Sequence, residues 1–417
     1  MKFSRLGAIT KKTRAENDNA MMEVLTQGSQ VKLVSAGVYT YGAILIKARE
    51  NLENFIRAKL EKYDCVEVAL PLLQTRKLWD ASGRYDKFKK SNTMFTTIGR
   101  HDEYCLSPTA EEVVFDYVKG LAKSYKDMPL CVYQFSMKFR DEIRVRGGIL
   151  RSKEFVMKDA YSFSETPESL LAEYQNMRKC YIEIFTELGF TPIPVVADNG
   201  DMGGSFSEEF MIESELGEDK VLYDEKTKTG FNIEVIENDD LRKKYEKMYH
   251  NIDFSKLKTI KTMELGHIFN LGQYYSKLMN GVFTNKEGKQ DYYYMGCYGI
   301  GVTRTLGILI EKNLDESGLK FTRVIEPFNV GIANMDNEKL RVKAQELYQM
   351  LSDMGLKVLW HDKNDSLGAK LKDLKLLGCR KNIILGNKFL ETGKIELETD
   401  EGKRELSLNE LKKVLNQ

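Results

Sequence analysis

The chain has 417 residues, enough for two or three domains. Hydrophobic residues make up 42% and charged residues 30%, a composition too apolar for a disordered protein. With 63 Lys and Arg residues against 62 Asp and Glu residues, the net charge is +1. Charge balance therefore gives no global signal for a polyanionic partner, so any nucleic-acid binding has to come from local patches.

Targeting signals and metal-binding patterns are not apparent in the sequence. The first twenty residues have no apolar core of the secretory type, and their acidic residues are atypical of a transit peptide. No run of about 18 apolar residues predicts a membrane helix. Six cysteines are scattered without paired spacing, and only four histidines are present. We therefore expect a cytoplasmic protein with reduced thiols and without zinc.

In chain order, the first clear elements are a helix and a strand. Apolar residues recur at helical spacing over 43–63, and the apolar stretch "CVEVAL" then ends at Pro71. Residues 131–142 alternate with period two, and with the return strand "EFVMKDAYSF" they predict a long antiparallel hairpin. The predicted core face carries Tyr133, Phe135, Met137 and Phe139, and the predicted polar face carries Gln134, Ser136, Lys138, Arg140 and Glu142.

The turn of this hairpin is rich in arginine. Arg144, Arg146 and Arg151 follow Arg140, and arginines that converge on one loop repel each other unless an anion is present. The pattern indicates phosphate binding, with a solvated surface ion pair as the alternative for Arg140 and Glu142. On the return strand Phe155 is a stacking platform for a purine, or an ordinary core residue.

The remaining elements divide the chain in two. Residues 166–189 predict a helix, and the charged stretch 236–261 predicts a surface excursion or a short helix. From Pro327 onward, strands alternate with helices, which predicts a small α/β domain with a partly parallel sheet. The preceding part, with antiparallel strands and segregated helices, predicts an α+β arrangement.

The stretch "GCYGIGVTRT", residues 296–305, lies between the predicted strand "DYYYM" and a predicted helix. Three glycines at such a junction suggest a phosphate-binding loop, but Arg304 stands where a dinucleotide fingerprint needs its third glycine. Arginine at a helix start is a good ligand for phosphate oxygens. The stretch therefore predicts nucleotide binding without a Rossmann fold.

These stretches together resemble a known family. "FRDE" with "RVRGGILRSKEF", "MGCYGIGVTR" and "CVEVALP" resemble motifs two, three and one of the class II aminoacyl-tRNA synthetases. Six further stretches, in order along nearly the whole chain, resemble the bacterial-type prolyl-tRNA synthetases: "SAGVYTYGAI", "LWDASGRYDKF", "SPTAEE", "EFVMKDAYSF", "MGGSFSEEFM" and "ELGHIFNLGQYYS". The resemblance implies attachment of L-proline to tRNA(Pro) through a prolyl-adenylate, with release of AMP and pyrophosphate.

The resemblance also implies an architecture. It places a catalytic domain at 1–324, with a class II antiparallel sheet flanked by helices, and a small α/β anticodon-binding domain at 325–417. Motif one lies at about 43–71, motif two at about 131–163 and motif three at about 292–311. ATP is expected as a substrate with magnesium, and motif one is expected to form the interface of a homodimer.

Roles carry over to matching residues. Arg140 would bind the α-phosphate and the carboxylate of proline, Glu142 the adenine amino group, and Arg304 the γ-phosphate, with Phe155 stacked on adenine. The further expected contacts are Arg151 to ATP; Thr109 and Glu111 to the secondary amine; Met157, Asp159, Tyr161, His267, Phe269, Cys297 and Gly299 around the proline ring; and Glu264 to magnesium. Ordinary core positions are the alternative for His267 and Cys297.

The chain departs from the family pattern in several places. Most bacterial relatives carry a large editing insertion between motifs two and three, whereas here only about thirty unassigned residues, around 232–262, occupy that interval, too few for such a domain. We therefore expect no editing of alanyl-tRNA in cis, so that the pocket or a separate trans-editing factor has to exclude alanine. Glu208 and Ala110 stand where relatives often have histidine.

Two rival functions stay open at this stage. One is a synthetase for another amino acid of the same subclass, although the zinc ligands of threonyl enzymes find no counterpart here. The other is a catalytically silent paralogue that binds RNA, against which the retained Arg140, Glu142 and Arg304 argue. Basic residues that could face a tRNA backbone in the C-terminal domain are Lys363, Lys370, Lys372, Lys375, Arg380 and Lys381, each equally compatible with a solvated helix face.

Overall fold

A computed structural model of the chain describes residues 1–7, 9–11, 13, 17, 19–91 and 93–415. The contacts divide the chain into two compact units. The terminal unit consists of Met1–Asn54, Arg146–Leu150 and Leu306–Gln417, and the central unit of Phe55–Val145 and Arg151–Thr305. The predicted domain boundary between residues 324 and 325 stays a prediction.

The bounds of the strands and helices are as follows. The strands are β1 (Val31–Ser35), β2 (Val38–Tyr41), β3 (Cys65–Glu67), β4 (Leu73–Thr75), β5 (Thr96–Ile98), β6 (Glu103–Leu106), β7 (Leu130–Phe139), β8 (Glu154–Ser164), β9 (Ile193–Ala197), β10 (Phe206–Glu213), β11 (Asp219–Asp224), β12 (Thr229–Asn232), β13 (Lys258–Gly272), β14 (Val282–Thr284), β15 (Gln290–Tyr292), β16 (Tyr294–Gly301), β17 (Val330–Asn334), β18 (Val358–His361), β19 (Asn382–Leu385), β20 (Ile395–Thr399) and β21 (Gly402–Leu406). The helices are α1 (Ala20–Gln27), α2 (Ala43–Leu60), α3 (Arg76–Ser82), α4 (Tyr85–Lys90), α5 (Glu111–Leu121), α6 (Pro167–Glu187), α7 (Ile233–Glu237), α8 (Asp239–Met248), α9 (Tyr274–Leu278), α10 (Val302–Asn313), α11 (Glu338–Asp353), α12 (Leu367–Leu376), α13 (Asn387–Thr392) and α14 (Leu408–Leu415).

The central unit is built on a nine-stranded sheet. Its strand order is β10-β9-β12-β11-β13-β16-β8-β7-β3, with β10 also paired to β13. The pairs β7–β8, β8–β16 and β16–β13 are antiparallel, so the predicted hairpin and the α+β class are confirmed. The helix α6 packs against β8, β13 and β16 and so covers one face of these strands.

The predicted helix over 166–189 is confirmed as α6, and its start follows from local chemistry. Thr166 caps the N-terminus by accepting a hydrogen bond from the backbone N–H of Ser169, and Pro167 occupies the first turn, where its missing N–H costs nothing. The buried side of the helix carries Leu170, Tyr174, Met177, Tyr181 and Phe185, as predicted, whereas Leu171 is exposed.

One prediction about the hairpin is wrong. The polar face of β7 is the more buried face: Lys138 is 0% and Gln134 2% exposed, while Phe135 and Met137 are only half-buried. The physical reason lies on the paired strand, where Asp159 faces both polar side chains and accepts a hydrogen bond from each of them. Polar groups that satisfy one another in this way can be buried without a large desolvation cost.

The predicted glycine-rich loop is also wrong, because Tyr294–Gly301 is a strand that leads directly into α10. Partners on both sides, β8 and β13, hydrogen-bond to it and keep it extended. Gly296 allows a close approach, since a Cβ atom there would lie 2.1 Å from the Tyr298 hydroxyl oxygen. Glycine serves side-chain packing in a strand here, rather than a turn around a phosphate.

The terminal unit contains a five-stranded sheet with the order β18-β17-β19-β20-β21. β17 is parallel to both of its neighbours and β19–β20–β21 are antiparallel, which confirms the predicted α/β class with a partly parallel sheet. Lys370 cannot face a tRNA backbone as suggested, because it is 2% exposed and donates to the carbonyl oxygen of Asn334.

The stretch 232–262 folds as two short helices, α7 and α8, followed by the start of β13. Its side chains pack with the sheet in a small cluster around Phe231, Val235 and Tyr245. Within the part of the chain that the structure describes, no helix is both long and apolar enough to cross a membrane.

Candidate active site

The residues expected around the proline ring lie on one face of three adjacent strands. The register pairs Phe269 on β13 with Cys297 on β16, and Cys297 with Tyr161 on β8. One step along the sheet, His267 pairs with Gly299, and Gly299 with Asp159. Residues two apart on a strand share a face, so these six positions form two neighbouring rows, and Met157 continues the face on β8.

Asp159 anchors the floor of this face. It is 3% exposed and accepts hydrogen bonds from Gln134, Lys138 and Tyr161 at 2.9 Å each, and from Ser136 at 3.4 Å. A buried carboxylate needs such partners, because an unpaired charge in the interior is costly. Four donors already occupy its two oxygens, so Asp159 supports the site by holding this hydrogen-bond network together.

Glu111 lies at the N-terminal end of α5 and contacts the same face. Its carboxylate accepts hydrogen bonds from the Thr109 hydroxyl at 2.5 Å and from the Cys297 thiol at 3.3 Å. Glu111 is fully buried; burial opposes its ionisation, yet the charge of Arg84 and the bond from Thr109 hold its pKa below the ordinary value. Because its pKa is low, the Glu111 carboxylate beside Cys297 is ionised at neutral pH, which suits a cationic amine.

Arg140 lies just beyond the end of β7. Its guanidinium is 5.3 Å from the centre of the Phe155 ring, and its Nε donates to the carbonyl oxygen of Pro108 at 3.2 Å. Burial lowers the pKa of Arg140, and the positive charge of Arg304 also lowers it, whereas the carboxylates nearby raise it. Neighbouring arginines repel each other, and an anion bound between them relieves this repulsion and is itself stabilised by both charges.

Glu142 and Arg151 form an ion pair, with 2.9 Å between Arg151 Nε and a carboxylate oxygen of Glu142. Arg151 also contacts Glu218 at 2.5 Å, so its charge is balanced by two carboxylates. The backbone N–H of Arg144 donates to Glu142 at 3.0 Å. These contacts hold Glu142 in one orientation and keep its pKa low despite partial burial.

A second set of charged and polar side chains lies at the side of the predicted pocket. It consists of Arg304, Glu264, His267 and Glu209. Arg304 donates to the Glu264 carboxylate at 3.1 Å, and His267 Nδ1 lies 3.4 Å from Glu264 and 3.7 Å from Glu209. Burial and the negative charge of Glu264 raise the pKa of Glu209 to about 8. Although burial opposes it, the bond from His267 and the charge of Arg304 lower the pKa of Glu264 to about 2.

Comparisons with known proteins agree with this arrangement. Residues 95–313 match the tRNA synthetase class II core domain (G, H, P, S and T), and residues 329–417 match an anticodon binding domain. The chain is 38% identical over 377 residues to the proline–tRNA ligase of Wolbachia pipientis wMel, covering 88% of this chain and 87% of the relative. The chain belongs to the proline–tRNA ligase family.

Other members of the proline–tRNA ligase family give the same result. The enzyme of Ehrlichia ruminantium (strain Gardel) is 38% identical, over 91% of this chain and 90% of its own length. Among solved structures, the prolyl-tRNA synthetase from Cryptosporidium parvum complexed with halofuginone and AMPPNP has a TM-score of 0.74 at 16% identity. That similarity covers 96% of this chain and 78% of the other and concerns the fold. The class II fold with an anticodon-binding domain is thereby confirmed.

The two positions where relatives of the proline–tRNA ligase family often have histidine, Ala110 and Glu208, are both buried. Ala110 directly precedes α5 and is fully buried. Glu208 pairs with Ile268 in the register of β10 and β13, so it points away from the face that carries His267. It contacts Tyr174 and Arg178 of α6 instead. Glu208 therefore takes no part in the pocket face.

Two residues of the site did not emerge from sequence reasoning. Arg84 contacts Glu111 at 3.3 Å, and Glu209 faces both Glu264 and His267. Both lie in stretches that resemble the family, "LWDASGRYDKF" and "MGGSFSEEFM". Each of those stretches contains the charged residue in question. Sequence spacing, however, cannot show that Arg84 contacts Glu111 or that Glu209 faces His267.

Proposed function

We propose that the chain activates L-proline with ATP and transfers the prolyl group to tRNA(Pro). The observation that carries this proposal is the single sheet face on which Phe269, Cys297 and Tyr161 lie beside the ionised Glu111. A secondary ammonium group donates two hydrogen bonds, and Glu111 with Thr109 would accept them. The apolar ring of proline would then lie over Met157, Gly299 and Cys297.

In the first step, a carboxylate oxygen of proline attacks the α-phosphorus of ATP. A carbon–oxygen–phosphorus linkage forms, the bond between the α-phosphorus and the bridging oxygen breaks, and pyrophosphate leaves. Arg140, which contacts the Pro108 carbonyl oxygen and lies close to Phe155, would hold the reacting carboxylate and α-phosphate together. Positioning and fixed positive charge supply the catalysis, since the step needs no protein nucleophile.

In the second step, a terminal ribose hydroxyl of tRNA(Pro) attacks the carbonyl carbon of the adenylate. An ester bond forms, AMP departs, and the hydroxyl proton is released. We assign Phe155 to stacking on adenine and Glu142, held by Arg151, to its amino group. We assign Arg304 to the γ-phosphate during the first step, because its guanidinium, in the first turn of α10, is oriented by its bonds to the backbone oxygen and the carboxylate of Glu264 on β13.

Magnesium is expected with ATP, and the donor chemistry fits it. Glu264 and Glu209 offer carboxylate oxygens that, with His267, lie within 4.8 Å of one another. Magnesium commonly binds one or two carboxylates together with substrate phosphates. Bound by Glu264, the ion would neutralise charge on the phosphate oxygens, and its positive charge would favour loss of the Glu209 proton and so a second carboxylate ligand. Arg304 and Glu264 would still orient the nucleotide through their own contact.

The partners follow from the same proposal. We propose that the C-terminal domain binds tRNA(Pro), that the chain works as a homodimer in the cytoplasm, and that a separate trans-editing factor removes alanyl-tRNA. Unpaired anticodon bases are generally recognised by stacking and by hydrogen bonds to their edges. Arg380 is one of the suggested basic residues, and it already contacts Asp315 at 2.9 Å.

The test is amino-acid-dependent exchange between pyrophosphate and ATP, with proline, alanine, threonine and histidine compared side by side. Strong exchange with proline and weaker exchange with alanine are expected. Exchange with no amino acid would point to a silent RNA-binding paralogue, and exchange mainly with threonine or histidine to another synthetase.

In the same assay, Arg140→Lys should lower kcat by about 10²–10³-fold, because lysine cannot reproduce the two-pronged contact with an anion. A folded Arg140→Lys protein with wild-type exchange would contradict the assignment of Arg140.

A further inference from the structure

Arg84 is buried within the central unit in an unusual environment. It directly precedes α4, is 0% exposed, and its guanidinium carbon lies 5.3 Å from the Trp79 ring, 4.6 Å from Phe88 and 5.4 Å from Tyr275. Three aromatic faces around one guanidinium stabilise its charge by cation–π attraction and limit its movement. The rings therefore hold the Arg84 guanidinium in place independently of its ionic contacts.

One nitrogen of Arg84 contacts two adjacent carboxylates. Its Nη1 donates to Glu111 at 3.3 Å and to Glu112 at 3.0 Å, and all three side chains are fully buried. Glu111 also receives bonds from Thr109 and Cys297, and Glu112 receives one from the Ser82 hydroxyl at 2.6 Å. The second oxygen of Glu112 is buried with no hydrogen-bond partner among the described residues.

The charges in this cluster do not balance. Two carboxylates face one guanidinium, and two neighbouring buried carboxylates rarely both stay ionised. The pKa of Glu112 is raised by burial and by Glu111, whereas that of Glu111 is lowered by Arg84 despite its burial. The other charged and titratable groups that act on the pair are Arg140, which acts on Glu111, the Tyr275 and Tyr161 hydroxyls, and the Cys105 and Cys297 thiols. Arg84 is the cation that contacts both glutamates.

We propose that Arg84 is a positioning residue for amine recognition: it orients Glu111 and keeps its carboxylate ionised, while Glu112 takes up the excess proton. The inference rests on the proposed function, because it assigns the amine of proline to Glu111. Arg84 is buried behind Glu111 and touches no substrate in this account. Its effect reaches the substrate only through the orientation and charge of that carboxylate.

The first experiment measures proline-dependent exchange between about pH 6 and about pH 9 for the wild type, Arg84→Met and Arg84→Lys. At neutral pH, Arg84→Met should raise the KM for proline by about 10- to 100-fold, the usual effect of losing a charged hydrogen-bond partner. Its KM for ATP should stay unchanged, and its KM for proline should fall as the pH rises and Glu111 ionises. Arg84→Lys should restore part of the affinity, because it keeps the charge.

Arg178→Met is the matched control. Arg178 also contacts a largely buried carboxylate of the central unit, that of Glu208, at 3.1 Å, but on the face covered by α6. The control should lose stability without a change in the KM for proline. If folded Arg84→Met shows the KM values and pH profile of the wild type, or if KM for ATP rises as much as KM for proline, Arg84 is only structural.

A second variant tests the proposal should Arg84→Met fail to fold. Glu112→Gln keeps the shape of the side chain and leaves Arg84 wholly to Glu111. In the wild type, Glu112 loses its proton as the pH rises and then competes with Glu111 for Arg84, whereas the neutral amide of Glu112→Gln does not. The KM for proline should therefore change less with pH in Glu112→Gln than in the wild type. Superimposable profiles of Glu112→Gln and the wild type would overturn the proposed sharing. Absence of proline-dependent exchange in the wild type would instead overturn the proposed function itself.

Discussion

At the scale of single residues, Gly299 controls the space above the pocket face. It pairs with His267 on one side and with Asp159 on the other. A Cβ atom at Gly299 would meet nothing closer than the Met157 sulfur at 3.7 Å, an ordinary van der Waals contact. The fold therefore tolerates a side chain here, but the bound proline ring would lose that volume.

We expect Gly299→Ala to fold with wild-type stability and to raise the KM for proline by about 10- to 100-fold, the range that one methyl group decides in an apolar pocket. Alanine should be affected less, so selectivity should shift toward it. Steady-state exchange with both amino acids measures the effect. The control is Gly296→Ala, whose Cβ atom would clash with Tyr298 and cost about 1–3 kcal/mol of stability. An unchanged KM in Gly299→Ala would place the proline ring elsewhere.

Glu209 predicts a pH dependence of stability. Its pKa in the folded protein is about 8, against an ordinary value of 4.5, so between these pH values the folded state binds more protons than the unfolded state. The contribution is fully present below pH 4.5 and is lost as the pH rises through about 8, with a slope approaching about 1.4 kcal/mol per pH unit.

We expect Glu209→Gln to decline less steeply in stability over this range, because its amide does not ionise. Urea unfolding midpoints at several pH values, followed by tryptophan fluorescence, measure the difference. The control is Glu213→Gln, at an exposed position on the same strand. Parallel profiles for the wild type and Glu209→Gln would show that Glu209 is ionised in the folded state.

At the scale of elements, α2 and β3 occupy the stretch expected to pair two subunits. β3 is the last strand of the nine-stranded sheet, so its outer edge pairs with no other strand among the described residues. Such an edge offers backbone groups to a partner. Val66 on this strand is 54% exposed, and Leu73 on β4 is 50% exposed. An edge strand that exposes apolar side chains is a typical place for a partner to bind.

We predict a dimer at micromolar concentration and a shift toward monomer in Val66→Asp, since a charge in an apolar interface is costly. Sedimentation velocity at several concentrations measures the equilibrium. Leu390→Asp, which changes a leucine of α13 that is 46% exposed, is the control and should leave the dimer intact. A wild-type protein that sediments as a monomer would refute the role assigned to motif one.

At the scale of the whole molecule, the unassigned part of the interval between motifs two and three, residues 232–262, contains α7, α8 and the start of β13. Its buried side chains, among them Val235 and Tyr245, pack with Phe231 into a small cluster, and about thirty residues are too few for a separate editing domain. Discrimination against alanine then depends on the pocket, and a pocket gains only about 1–3 kcal/mol per methylene group.

We predict measurable activation of alanine and no hydrolysis of alanyl-tRNA(Pro) by the purified protein. The measurement is the release of labelled alanine from pre-charged tRNA over the spontaneous rate, with a protein-free sample as the control. Hydrolysis above that rate would show an editing activity within the chain. Its absence, together with alanine-dependent exchange, would support the need for a separate trans-editing factor.

The sequence by itself determined the class of the protein and most of its elements. Motif resemblance and periodicity were sufficient for the α6 helix, the β7–β8 hairpin and the α/β character of the C-terminal part, because these patterns are local. The same reasoning selected Arg140, Glu111, Arg304 and the residues of the pocket face. Their assigned roles stay proposals, although the structure brings the pocket residues onto one face of the sheet.

Only the tertiary structure decided which faces are buried and which charges meet. The alternation along β7 predicts a solvent-facing Lys138. In the structure Asp159, on the paired strand, accepts a hydrogen bond from Lys138, which is therefore buried. The three glycines in the stretch 296–301 predict a loop, whereas in the structure strands on both sides hold this stretch extended. Arg84 meets Glu111 and Glu112 across 27 and 28 positions of the chain. Contacts between distant residues depend on register and packing, which local periodicity does not encode.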